Sequence, residues 1–250
     1  MKLISSGTAC LILLLPLAAL GQESGLKTDS RNWEGDAEFG ALVTSGNTDE
    51  TNIKGRLGLK YEVADWRNTG EFRSAFSEAE DVTTNESYRA TVESNYKFAE
   101  RQFWFARGFY EDDRFSGFDF RTSLSTGYGN RVWAGGEHSF LDLTIGAGYR
   151  FDKLSEPDDD GNRDEDEAIA RFAANYDHSL SDTALFRQTL SVEVGLDQED
   201  TTTESETSVQ ANLVGSLSMK AAYRVQHLSD PPEGAASTDT EVSVSLLYGF

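Results

Sequence analysis

The chain has 250 residues, with 22 Lys and Arg against 43 Asp and Glu, for a net charge of -21. That balance excludes a protein that grips nucleic acid by phosphate neutralisation, which needs a basic face. Aromatic residues make up 11%, too many for an acidic disordered chain, and after residue 21 no apolar run approaches the roughly 18 residues of a membrane-spanning helix.

Residues 1–21 open with Lys2, continue through an apolar stretch centred on Leu11–Leu15 and end on Ala19-Leu20-Gly21. A basic start, an apolar middle and a small-x-small end predict an export signal cleaved after Gly21. Cys10 lies in this segment and is the only cysteine. The exported chain is therefore expected to lack disulfides, thiolate metal sites and cysteine nucleophiles. Residues 22–33 read as a short lead-in, and 34–250 as the domain.

From Trp33 onward the chain alternates with period two. Leu141, Leu143, Ile145, Ala147, Tyr149 and Phe151 interleave with Asp142, Thr144, Gly146, Gly148, Arg150 and Asp152. Leu190, Val192, Val194 and Leu196 interleave with Thr189, Ser191, Glu193 and Gly195. This is the signature of strands with one apolar and one polar face. Twelve such strands are predicted: 34–44, 51–64, 69–79, 86–99, 102–113, 119–133, 138–153, 168–180, 184–197, 206–215, 218–228 and 239–250. Alternate connections are tight. The others, 45–50, 78–86, 111–119, 156–167, 197–206 and 230–241, hold more than half of the 43 carboxylates. An even number of strands, short turns at one end and long acidic loops at the other predict an all-β, antiparallel, up-and-down transmembrane β-barrel. The tight turns would face the periplasm and the acidic loops the outside.

The polar parity separates this plan from a soluble β-sandwich or lipocalin-like barrel. Arg56, Arg73, Arg89, Glu93, Arg107, Arg121, Arg150, Arg171, Arg187, Glu193 and Arg224 all fall on it. Buried unpaired in a packed core, each costs several kcal/mol; in a wet lumen they pair and are solvated. Glu62, Glu71, Glu111, Asp142, Asp152, Asp197 and Glu241 are expected to face these arginines, and Gly58, Gly108, Gly127, Gly129, Gly146, Gly148 and Gly195 mostly to share the inward parity. Trp33, Trp66, Trp104 and Trp133 fall at the short-turn end, with Tyr61, Tyr96, Phe98, Phe103 and Phe140, as a membrane-interface girdle requires. The chain ends with Val242, Val244, Leu246, Tyr248 and Phe250 at or near every second position, so Tyr248 and Phe250 read as an assembly signal for the barrel-assembly machinery.

Catalytic chemistry finds little footing. The three histidines, His138, His178 and His227, lie near strand ends, and Ser229 and Asp230 beside His227 are neighbours in sequence rather than a triad. No catalytic residue and no cofactor is assigned. The segment 156–167 places Glu156, Asp158, Asp160, Asp164 and Glu167 at the oxygen-ligand spacing of a calcium loop, with Gly161 sixth. Its flanks are strands rather than helices, and an acidic run matches that template by chance. More broadly, the acidic loops suit divalent cations held between carboxylates and lipopolysaccharide phosphates. The lumen charges suit a channel that selects among ions, or a lumen plugged by salt bridges. An outer-membrane enzyme, or an adhesion module acting through the loops, is the other reading.

Several segments are also familiar together: Val43–Asp49, Leu59–Glu62, Tyr88-Arg89 with Asn95–Phe98, Asp113–Asp119, Gly146–Arg150, Glu167–Arg171, Leu180–Ala184, Thr203–Thr207, and Ser229–Pro232 with Thr238–Glu241. From about residue 34 to Phe250 the chain resembles the salt-induced outer-membrane proteins, whose defining domain is one of unknown function (DUF). The resemblance implies a barrel in the outer membrane of a Gram-negative cell, with lipid and lipopolysaccharide around it and a link to salt or osmotic stress. It implies no reaction and no ligand.

Overall fold

The computed structural model describes residues 32–44, 50–136, 138–157, 161–197, 200–232 and 235–250. The signal expected at 1–21, and the lead-in as far as residue 31, lie outside the described residues. Asn32–Phe250 form one unit. Its strands are β1 (Trp33–Thr44), β2 (Glu50–Glu62), β3 (Trp66–Ala79), β4 (Val82–Lys97), β5 (Gln102–Asp113), β6 (Phe118–Gly136), β7 (Ser139–Leu154), β8 (Asp164–Ser181), β9 (Ala184–Gly195), β10 (Thr201–Val214), β11 (Leu217–Leu228) and β12 (Thr238–Gly249). Each pairs antiparallel with its chain neighbours, and β12 returns to β1 to close the barrel.

The alternation turns one parity to each side of the wall. Leu57, Phe72, Val92, Leu124, Ile145 and Phe172 face out and are exposed. Arg121, Ser123, Asp142, Arg150, Asp152 and Glu167 face in and are buried. The outward surface is thus an apolar belt. Near the short turns each tryptophan stands against a tyrosine: Trp33 on Tyr61 (4.8 Å), Trp66 on Tyr96 (5.1 Å), Trp133 on Tyr176 (5.8 Å) and Trp104 on Tyr128 (6.4 Å). Phe103 and Phe140, expected in this girdle, face the lumen instead. Phe103 is 5% exposed and lies under the Arg67 guanidinium, and Phe140 lies under Arg131. They share parity with Arg107 and Asp142, and parity rather than height along the strand decides the side.

The strand boundaries differ most at the acidic ends. β4 begins four residues, β8 four and β10 five residues earlier than the alternation predicts. Thr201–Glu206 and Thr83–Glu86 are polar on both parities, so apolar periodicity cannot mark them as strand. The connection expected across 78–86 shrinks to Glu80-Asp81, both with positive φ (50° and 62°). Two consecutive left-handed residues make the type I′ turn that matches strand twist. Glu167 and Glu204, expected in loops, and Glu206, expected where loop meets strand, therefore stand within strands.

Glycines shape the wall between β6 and β7. Gly127 pairs with Gly146, and Phe105, 2% exposed, lies against them. A Cβ on Gly146 would run into the Thr126 carbonyl and the Phe105 ring. The backbone cannot retreat without breaking the ladder. Gly146→Val is expected to cost at least the roughly 1–3 kcal/mol of an overpacked site. In refolding trials its yield of the compact, heat-modifiable band should fall well below that of the unaltered chain. Gly108 faces outward between Val92 and Leu124, against the inward expectation.

Candidate functional site

The lumen is where the charged side chains converge. Toward β1 and β2, Arg56 donates to Glu71 (2.6 Å) and also binds Asp36. Arg73 donates to Glu71 (2.6 Å) and reaches Glu206 (2.7 Å) on β10. Lys220 on β11 ties Glu206 (2.9 Å) to Glu38 (3.4 Å). Toward the acidic loops, Arg150 is held by Asp200 (2.5 Å), Asp152 (3.3 Å) and Glu167, and Arg121 shares Asp152 (3.1 Å). Arg107 and Arg171 approach one carboxylate, Glu193, at 3.7 and 3.3 Å. Glu93 accepts from Asn95 (3.0 Å). At the short-turn end Arg187 grips Asp177 with two hydrogen bonds (2.7 and 2.6 Å), and Arg131 grips Asp142 in the same way (2.7 and 2.8 Å).

The contacts that cross the lumen set its width. Arg89 on β4 donates to Glu204 on β10 at 2.7 Å and to Gln226 on β11 at 3.0 Å, while also binding Glu111 on its own side. β4 and β10 are six places apart in a ring of twelve, so they stand on opposite walls. Arg224 approaches Glu204 at 3.3 Å. Two side chains thus span the bore at this level. Beside this bridge, a cavity of about 20 Å³ touches Arg107, Arg121, Arg150, Ser123 and Thr202. That is room for little more than one water. The charges are desolvated, but each of these carboxylates has a cation within ion-pair distance, which offsets much of the burial cost.

All the arginines expected on the polar parity reach this network. The partners that sequence reasoning missed include Glu204, Glu206, Glu38, Asp36, Asp177, Asp200 and Lys220. The first two share the inward parity of Ser208, a signal the sequence carries. Asp197, expected in the lumen, is exposed beyond β9. The calcium-loop set does not come together among the described residues. Glu167 is turned into the lumen against Arg150, Asp164 lies 3.9 Å from Lys153, and Glu156 lies 3.9 Å from Arg163. Asp158 and Asp160 lie outside the described residues. In the turn after β5, Arg114 donates to Glu86 (2.5 Å), and that bond raises the guanidinium pKa above its ordinary value.

The histidines are spread over the wall. His178 stacks on Tyr176 in the girdle (6.0 Å), and His227 meets Thr238, its neighbour across the ladder (2.8 Å). Ser229 accepts the Thr201 amide. At the closing strand the Phe250 and Gly35 backbones exchange two hydrogen bonds (2.8 and 3.0 Å), and the Phe250 ring lies over Gly35.

Comparison with known proteins adds a family. The chain is 29% identical over 221 residues to YdiY of Escherichia coli K12, an uncharacterized protein, covering 87% of this chain and 83% of that one. Among solved structures it resembles the NanC porin at 13% identity and a TM-score of 0.46, over 86% of this chain and 97% of that chain. It also resembles an outer membrane channel from Pseudomonas putida F1 at 11% identity and a TM-score of 0.49, over 87% and 95%. The model of the protein family of unknown function DUF481 matches residues 37–250, and the chain belongs to that family.

Proposed function

We propose that the barrel sits in the outer membrane and acts as a narrow, salt-responsive pore for ions and small solutes. The apolar outward belt and its Trp–Tyr girdle support the membrane setting. The observation that carries the pore reading is the Arg89–Glu204 contact between opposite walls. It closes the bore with side chains alone, and side chains can move without disturbing the ladder. Ion pairs weaken with ionic strength, because the screening length falls from about 10 Å at 0.1 M to about 3 Å at 1 M. A lumen held shut by such pairs loosens as salt rises, which gives the link to salt or osmotic stress a physical form. In this setting the strand ending in Tyr248 and Phe250 is the handle for the assembly machinery. The outer loops meet lipopolysaccharide, with divalent cations between carboxylate and phosphate.

The test is conductance of the refolded protein in a planar bilayer at 0.1 M and 1 M salt. Unit conductance is expected to rise more steeply than the conductivity of the bulk solution. Conductance in simple proportion to the bulk, or a stably inserted barrel silent at both concentrations, would overturn the reading.

A further inference from the structure

The barrel closes unevenly. β1 pairs with β2 along its whole length, from Trp33 opposite Tyr61 to Thr44 opposite Glu50. β12 pairs with β11 from Thr238 to Tyr248. Between β1 and β12, only Asp36–Phe39 pair with Gly249–Leu246, extended by the Gly35–Phe250 bonds. Toward the acidic loops, no pairing joins the two strands among the described residues. Val242 and Val244 stand on the outward face of β12 over this stretch and are exposed.

What ties the open half lies on the lumen side. Lys54 of β2 reaches over β1 to Glu241 of β12 at 2.7 Å. It can do so because the intervening inward position of β1 is Gly40, which has no side chain to block it. Lower down, Glu38 accepts from Ser245 (2.5 Å) and Lys220 (3.4 Å). Backbone groups left open in hydrocarbon cost several kcal/mol each, so an unpaired edge persists there only beside water or polar groups. This edge has charges of both signs behind it and apolar side chains on its bilayer face.

We propose that the β1–β12 seam is a closable lateral passage, through which an amphiphile with a charged head and an acyl chain moves between lumen and bilayer. The head meets Glu38, Lys54, Lys220 and Glu241 while the chain stays among Val242, Val244 and lipid. Continuing the register from Phe39–Leu246 sets Ala41 opposite Val244, which is the closed state. The passage rests on the membrane setting proposed above but not on axial conductance.

The experiment places a benzophenone amino acid at Ser243, which faces inward at the seam, in protein reconstituted into phosphatidylethanolamine–phosphatidylglycerol vesicles. Covalent lipid adducts are counted by mass spectrometry. Ser191, inward on β9, and Leu124, outward on β6, serve as references. Ser243 is expected to label lipid several-fold above Ser191. Adding Ala41→Cys and Val244→Cys and oxidising the pair should lower labelling to the Ser191 level, and reduction should restore it. Lys54→Met should raise it. Labelling at Ser243 no higher than at Ser191, while Leu124 labels well, overturns the passage. So does a disulfide that forms without effect, and a cysteine pair that cannot oxidise overturns its closed state. If Leu124 fails to label, the membrane setting falls instead.

Discussion

Replacing Arg89 and Glu204 together by alanine is expected to raise single-channel conductance several-fold. These two side chains meet from strands on opposite walls, so their removal deletes the bridge rather than shortening it. The double change is preferred to either single one, because it removes one charge of each sign, whereas a single change shifts the net charge of a narrow lumen. Glu111 and Arg224, which lose Arg89 and Glu204 as partners, remain on either side with opposite signs. The steep salt dependence expected of the unaltered protein should flatten in the variant, since the pair that screening weakens has gone. Unchanged conductance would place the constriction elsewhere along the bore.

The largest loss of stability is expected from Arg150→Met. Arg150 is the shared partner of Asp152, Glu167 and Asp200, and the Arg150, Asp152 and Glu167 side chains are all less than 10% exposed. Methionine keeps much of the volume and removes the charge shared by Asp152, Glu167 and Asp200, while Arg121 stays beside Asp152. Breaking a buried pair in this way costs about 3–5 kcal/mol. The effect should be read as a lower urea midpoint for loss of the compact band in detergent. Adding Glu167→Gln to Arg150→Met removes one of the like charges and is expected to recover part of the loss. Equal midpoints for the parent and Arg150→Met would mean that water, not Arg150, satisfies these carboxylates.

The wall of this barrel was legible in the sequence because its two faces impose opposite demands on alternate residues, apolar outside and charged within. β7 and β9 show it most plainly, as Leu141–Phe151 and Leu190–Leu196 switch polarity at each step. The outer ends of β4, β8 and β10 were hidden because Thr, Asn, Ser and Glu suit water on both faces, so no alternation marks strand from loop. That concealment places Glu167 and Glu204 in loops on sequence alone and lends the calcium template its twelfth position. Phe103 and Phe140 were within reach of the sequence, since their parity matches Arg107 and Asp142. The partner of Arg89 was not, because which walls approach depends on how far the ring is flattened, and local alternation carries no information about cross-section.

The ties across the lumen also bear on how the chain reaches its final form. Arg89 and Glu204 are 115 residues apart in the chain, Arg73 and Glu206 are 133 apart, and Arg89 and Gln226 are 137 apart. Hairpins form from neighbours and are paired early, whereas contacts of such separation wait for the entropy of a long closure to be overcome. Until the last strands arrive, Arg73 and Arg89 point from an open sheet with their distant partners missing, and a charged face of that kind resists entry into hydrocarbon. The lattice thus rewards only the completed ring: in the membrane setting proposed above, a barrel short of its final strands gains little from insertion, and closure and burial become one cooperative event.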